Sequence, residues 1–283
     1  MKTNLNLDER SVKFFNDFDS LKENFWDKGY VIIPKVFTGN EIKFVKDAIT
    51  NCAEMNALYK DVQEKFESGK YPSFESIFVM NDVFGDDIFS KITRNHKLLD
   101  TVAYLFDDDA YVYHNKVTLK YGNMPGFKYH QDYFYWYKMG CLFPAMATCF
   151  IAIDKATKEN GCLKIMPGSH KLGRVDHQLF DGFSDSEVEE DRLNAAYELF
   201  DEIYVELDPG DAVLFHCNIF HGSNANLSEN SRIALLGCYN TKNNSPINRE
   251  WSHPPYSYQK RIFDEITESD AKNLPDFEVS FQK

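Results

Sequence analysis

The sequence predicts a mainly β fold with flanking helices, and three observations predict it. Before Asp107, apolar residues recur mainly at helical spacing. From Ala110 onward, short runs rich in Val, Ile, Tyr and Thr alternate with turns containing Gly, Pro and Asn. A length of 283 residues with 43% hydrophobic content, 24 Phe and 16 Tyr is sufficient for one sizeable core. Helices first and strands afterwards fit a single β domain with a helical buttress: helices over about 1–106, a barrel over about 110–243 and a C-terminal tail over 244–283.

The elements follow in order. Residues 11–28 read as a helix through Phe14, Phe15, Phe18, Leu21 and Phe25, and Gly29 stops it. Tyr30–Ile33 is a short strand ended by Pro34. Thr38, with Glu41 three residues on, makes a capping box for a helix over 40–59. Residues 61–85 read as loop with some helix. A helix over 86–106 then carries Ile88, Ile92, Leu98, Leu99, Val102 and Leu105, and Asp107-Asp108-Asp109 turns the chain. Strands are expected at 110–120, 128–135, 145–153, 162–166, 203–207, 212–216 and 231–239, separated by Gly- and Pro-containing turns. Between them, the acidic segment 176–201, helical over 187–200, is a candidate mobile lid. One further helix is expected near 263–273.

Charge and composition exclude several classes. A net charge of −13 argues against nucleic acid or an anionic membrane as partner, since both call for basic patches. The N-terminus has no apolar signal region, and no run of 18 apolar residues is present, so a cytoplasmic protein is expected. The six cysteines form no CxxC pair and are expected to be reduced thiols.

Chemistry concentrates in Tyr129-His130-Gln131-Asp132-Tyr133-Phe134-Tyr135-Trp136. On a strand, residues i and i+2 share a face, so His130 and Asp132 can converge on one point. Alone, the pair equally fits a turn acid and a hydrogen-bonded histidine. A third candidate lies far downstream at His221, beside Gly222, where backbone can approach closely. His216 is the rival, five residues earlier and on the opposite face of an unbroken strand. Two histidines and one carboxylate with open positions are the ligand set of non-haem Fe(II) oxygenases. Arg232 opens the last strand, where its guanidinium can hold a carboxylate with two hydrogen bonds. A dicarboxylic cosubstrate such as 2-oxoglutarate needs such a group, and Ser223 can add a hydroxyl. A surface pair of Arg232 with Glu229 is the alternative. Lys116, Lys120 and Lys128 can meet an acidic substrate or simply be solvated.

In this order and spacing the pieces resemble the phytanoyl-CoA dioxygenase family of Fe(II)/2-oxoglutarate oxygenases, which includes ectoine hydroxylases. They run from Gly29-Tyr30-Val31-Ile32-Ile33-Pro34 through His130-Gln131-Asp132, Asn160-Gly161-Cys162-Leu163, Met166-Pro167-Gly168-Ser169-His170-Lys171 and Pro209-Gly210-Asp211. They end with His221-Gly222-Ser223, Asn226, Ser228 and Arg232. The resemblance covers roughly 28–240 and implies a double-stranded β-helix (jelly-roll, cupin-like) barrel. It implies Fe(II) on His130, Asp132 and His221, with 2-oxoglutarate on Arg232 and Ser223 and with O2 as oxidant. Gln131, Thr118 and Phe150 would line the cosubstrate pocket. Trp136, Tyr133 and Tyr135 would meet substrate, the two tyrosines having barrel-rim packing as their alternative. Halogenating relatives replace the carboxylate ligand with a small residue. Asp132 therefore implies hydroxylation, with cyclisation or desaturation as diversions some relatives make. Residues 1–27, 55–95 and 172–202 match nothing specific. A barrel of this fold that binds a ligand or partner without turnover is the alternative from another class, and a Zn or Mn cupin would carry more histidines.

Overall fold

The computed structural model describes residues 18–68, 76–80, 85–179, 186–247, 256, 258–274 and 279–281. Along the chain run α1 (Phe18–Lys28), β1 (Tyr30–Ile33), α2 (Gly39–Asn51), α3 (Ala53–Glu67), β2 (Ser76–Met80), α4 (Ile88–Thr93), α5 (His96–Phe106) and β3 (Ala110–Lys120). Then follow α6 (Asp132–Lys138), β4 (Met146–Ala152), β5 (Leu163–Ile165), β6 (His177–Leu179), β7 (Ser186–Val188), α7 (Glu190–Leu199) and β8 (Ile203–Val205). The last elements are β9 (Ala212–His216), β10 (His221–Ser223), β11 (Arg232–Thr241), α8 (Glu268–Lys272) and β12 (Val279–Phe281). Among the described residues the strands form a seven-stranded sheet in the order β1-β9-β4-β11-β3-β2-β12, a three-stranded sheet β10-β5-β8 and the hairpin β6-β7. Every strand pair is antiparallel.

Period-2 alternation sorts the large sheet's side chains between two layers. Val117, Leu119, Cys149, Ile151, Leu214, Ile233 and Leu235 face the helices, packing with Phe25, Val45, Phe89, Leu99 and Val102. Phe150, Ala152, Val213, Phe215 and Ala234 face the other way, onto Leu163, Ile165, Val205 and Leu207 of the small sheet and its flanks. Both faces of β4, β9 and β11 are therefore covered, which is why 145–153 reads as a continuous apolar run. Burying each large side chain contributes about 1.5–3 kcal/mol.

Helix ends follow their caps. Glu41 N donates to Thr38 Oγ1 (3.3 Å) and Thr38 N donates to Glu41 Oε2 (2.8 Å), the expected capping box. Gly29, at φ +83°, ends α1, and a Cβ there would meet the His170 ring at 2.5 Å. Two long helices are each broken in two. The expected helix 40–59 stops at Cys52, which is extended (φ −73°, ψ 114°), and resumes as α3. The helix 86–106 is interrupted at Arg94 and Asn95. The Asn95 side chain accepts the Lys97 N–H (3.0 Å), and its segment bridges Ile262, so tertiary pairing overrides apolar periodicity. Strand β2 lies in the stretch read as loop, and the helix near 263–273 is confined to α8. Residues 11–17 of the first expected helix lie outside the described residues. In the lid segment, β6 and β7 form a hairpin ahead of α7, and residues 180–185 lie outside the described residues. All six cysteines are buried free thiols. No helix among the described residues is long and apolar enough to cross a membrane.

Candidate active site

The expected strand 128–135 is not one. His130 pairs with His221 as an isolated antiparallel bridge (N–H···O distances 3.0 and 3.1 Å), after which the chain turns at Gln131 and Asp132 opens α6. An acid in a first helical turn is stabilised by the exposed backbone N–H groups, and Tyr133, Phe134 and Trp136 bury their rings against the fold. The aromatic residues that read locally as strand formers are packed as helix, because context decides β propensity. His130 and Asp132 converge, but from a bridge and a helix start rather than one strand face.

One candidate ligand atom each from His130, Asp132 and His221 lie within 4.8 Å of one another. His130 Nδ1 donates to Lys128 O (2.8 Å) and His221 Nδ1 to Ile219 O (3.1 Å), which leaves both Nε2 lone pairs directed at the common point. The two rings lie 4.2 Å apart, and His221 Nε2 is 3.8 Å from Asp132 Oδ1. Enclosure, then the neighbouring His221, pushes the His130 pKa down to about 3. Burial would raise the Asp132 carboxyl, but His221, Lys116, His130 and the Thr148 hydroxyl, which donates to Oδ2 at 2.5 Å, outweigh it and hold the pKa low. His130 thus stands as a neutral imidazole and Asp132 as an ionised carboxylate, the forms that bind a metal.

The triad opens on a cavity lying between the two sheets. Thr118, Phe150, Ser223 and Arg232, all expected at the cosubstrate, line it, with Phe127, Leu163, Phe215, Gly222, Leu236 and Lys116. Arg232 is buried, with its guanidinium 5.5 Å from the Phe150 ring centre, so a surface pair with Glu229 is not its setting. Ser223 Oγ accepts from Lys120 Nζ (2.8 Å) and from Phe127 N (3.1 Å). Lys120 is fully buried and also donates to Asn224 O (2.8 Å). Gly222 permits the close approach expected of it: a Cβ would lie 2.8 Å from Phe127 O. His216 is remote, within 6.2 Å of Phe25, Trp26, Phe106 and His170 rings.

Other expected contacts differ. Gln131 does not line the cavity. Its amide donates to Gly173 O (2.8 Å) and Asn218 O (2.7 Å) and accepts from Val175 N (2.8 Å), bracing the chain between the ligands. Trp136 is buried behind the site, its Nε1 donating to His114 Nε2 at 3.3 Å. Tyr133 donates to Cys141 O and packs in the same aromatic cluster. Of the three aromatic residues, Tyr135 lies near the triad, its ring 6.3 Å from His130 and its hydroxyl 2.7 Å from Ser186 Oγ of β7. Sequence reasoning missed Thr148 and His177, whose Nε2 accepts the Gln131 N–H (2.9 Å). It also left Lys116 and Lys120 open between solvation and contact with an acidic substrate. The signal was the alternation Lys116-Val117-Thr118-Leu119-Lys120: with apolar residues facing the helices, the polar set faces the cavity.

A profile of the phytanoyl-CoA dioxygenase family matches residues 25–234. The chain is 25% identical over 265 residues to an ectoine dioxygenase of Stutzerimonas stutzeri, covering 86% of this chain and 84% of the relative. It is 30% identical over 176 residues to an L-proline trans-4-hydroxylase of Streptomyces griseoviridis, covering 57% and 66%. The solved structure of EctD from S. alaskensis with 2-oxoglutarate and 5-hydroxyectoine shares its fold, with a TM-score of 0.66 at 18% identity over 87% of this chain and 86% of that one. The chain belongs to the phytanoyl-CoA dioxygenase family of Fe(II)/2-oxoglutarate-dependent oxygenases.

Proposed function

We propose that this protein hydroxylates an unactivated C–H bond of a small molecule, with succinate and carbon dioxide as coproducts of 2-oxoglutarate. His130, Asp132 and His221 hold iron(II), and Arg232 with Ser223 seats the far carboxylate of the cosubstrate. The observation that carries this reading is the pairing of a His-Asp-His cluster with a buried arginine across one cavity. The donor set fits iron(II): two imidazole nitrogens and one carboxylate oxygen on one side leave the opposite positions for ligands. When bound, the metal supplies oxygen activation. The chain's own part is to orient and to exclude water. Thr148 fixes the carboxylate, and the Lys128 and Ile219 carbonyls fix the imidazoles. Phe127, Phe150, Leu163 and Phe215 give the cavity apolar walls, which strengthens a guanidinium–carboxylate pairing. Ectoine and proline, the small molecules in the relatives' names, support a compact substrate. We take the whole chain as one domain, closed as a double-stranded β-helix.

Metal-free protein given Fe(II) and 2-oxoglutarate without oxygen should show a weak visible charge-transfer band, and an absent band would sink the cosubstrate assignment. Arg232→Ala should raise the 2-oxoglutarate requirement at least about tenfold, as expected for losing a charge-assisted pair of about 1.5–3 kcal/mol. Its effect on substrate should be smaller; equal effects contradict the role.

A further inference from the structure

The reading above uses Lys116 only as one of the charges that keep Asp132 ionised, yet its side chain also lines the cavity. It stands on the cavity-facing side of β3 with Thr118 and Lys120. It is half-buried, and its charge acts on both Asp132 and Cys238. Its neighbour in register on β11 is Leu236, an apolar cavity wall. Among the described residues no carboxylate forms an ion pair with it, whereas Lys128 is tied to Glu187 at 2.8 Å on the surface.

A half-buried ammonium facing a cavity is costly unless an anion meets it. The cosubstrate does not supply that anion. Arg232 lies opposite Lys120 in register, so both cations sit at the far end, where the distal carboxylate goes. A bound metal would answer the keto-acid end and Asp132. Lys116 lies four residues from Lys120 along β3, roughly 13 Å at the strand rise, and so well away from Arg232's register. Its positive charge is left for a second ligand.

We propose that Lys116 is the specificity-determining residue for substrate: it holds an acidic group, a carboxylate or phosphonate, so the substrate is a small organic anion. This rests on the oxygenase reading and adds the substrate class to it. The overall charge of −13 makes a cationic pocket a local, selective feature rather than a general attraction for anions.

The test uses the oxygen-free Fe(II)–2-oxoglutarate protein, read by its charge-transfer band. The probes are acetate, propionate and methylphosphonate, with acetamide and propionamide as neutral counterparts. At least one anion should perturb the band saturably while the amides do so at least tenfold more weakly. Lys116→Met should weaken that anion at least tenfold, and Lys116→Arg no more than threefold. The affinity for 2-oxoglutarate should change less than threefold in Lys116→Met. If no anion perturbs the wild-type band, or if Lys116→Met binds anions as wild type does, the inference fails while the oxygenase reading stands. If Lys116→Met loses 2-oxoglutarate as Arg232→Ala does, Lys116 serves the cosubstrate and the inference is overturned. If wild type shows no band at all, the oxygenase reading itself fails.

Discussion

A single hydroxyl shows how tightly the proposed ligand set is held. Thr148 donates to Asp132 at 2.5 Å from β4, the strand beneath α6. Thr148→Val keeps the shape and removes the donor. Partners of this kind are worth about 10- to 100-fold in metal affinity, so Fe(II) titration should show a loss in that range; an unchanged affinity would mean the bond is incidental. Two other histidines carry a pH effect outside the ligand set. Burial, then the nearby His170, pushes His216 down to about 3, and burial is also the first cause that lowers His177 to about 4. Folded values below the ordinary 6.5 mean that the unfolded chain binds more protons as pH falls below about 6.5, so stability declines from there toward 4. At its steepest the slope is about 1.4 kcal/mol per pH unit for each histidine. The melting temperature of metal-free protein should fall between pH 7 and 5, and His216→Phe should flatten the decline. A melting temperature that rises on acidification would contradict the assignment.

At the scale of elements, the site is made where elements end. His130 and His221 meet in a two-residue bridge, Asp132 begins α6, and Arg232 begins β11. The junction is held by Gln131, whose three backbone partners lie in two separate loops. Gln131→Ala leaves buried backbone groups unmet, at about 1–3 kcal/mol each. It should lower the melting temperature and weaken Fe(II) together, with Gln131→Glu retaining more of both. A stable variant with normal iron affinity would show the brace to be dispensable. The same junction explains what could be read in advance. The β9 strand and the Thr38 capping box follow from local pattern, because burial on both faces and a two-residue cap leave plain traces. The bend at Gln131 leaves none: Tyr133, Phe134, Tyr135 and Trp136 favour a strand locally, and long-range packing against Cys141, Cys217 and Tyr113 makes them a helix. The roles of Lys116 and Lys120 were hidden for a related reason. A lysine in an alternating strand reads as solvated until the opposite face is known to be covered.

At the scale of the whole molecule, charge and depth run in opposite directions. The chain as a whole is strongly acidic, while Arg232, Lys120 and Lys116 gather on the inner face of one sheet. The large sheet carries the bulk of the core against the helices, and the three-stranded sheet supplies the cavity's other wall through β5 and β10. That smaller wall is the weaker structure, with strands of three residues each.

The bridge between His130 and His221 has one more consequence. It joins the α6 segment to β10 of the small sheet through two backbone hydrogen bonds, and an ion gripping both imidazoles would add a clasp across the same seam. Metal loading should then tighten that wall as a unit, adding a mass-action stabilisation of about 2.7 kcal/mol at a hundredfold excess over Kd and so raising the melting temperature. It should also slow amide exchange at Gly222 and Lys164 while leaving β11 as it was. Chelation should reverse both, and uniform slowing across every strand would show that the ion does no more than favour the folded chain.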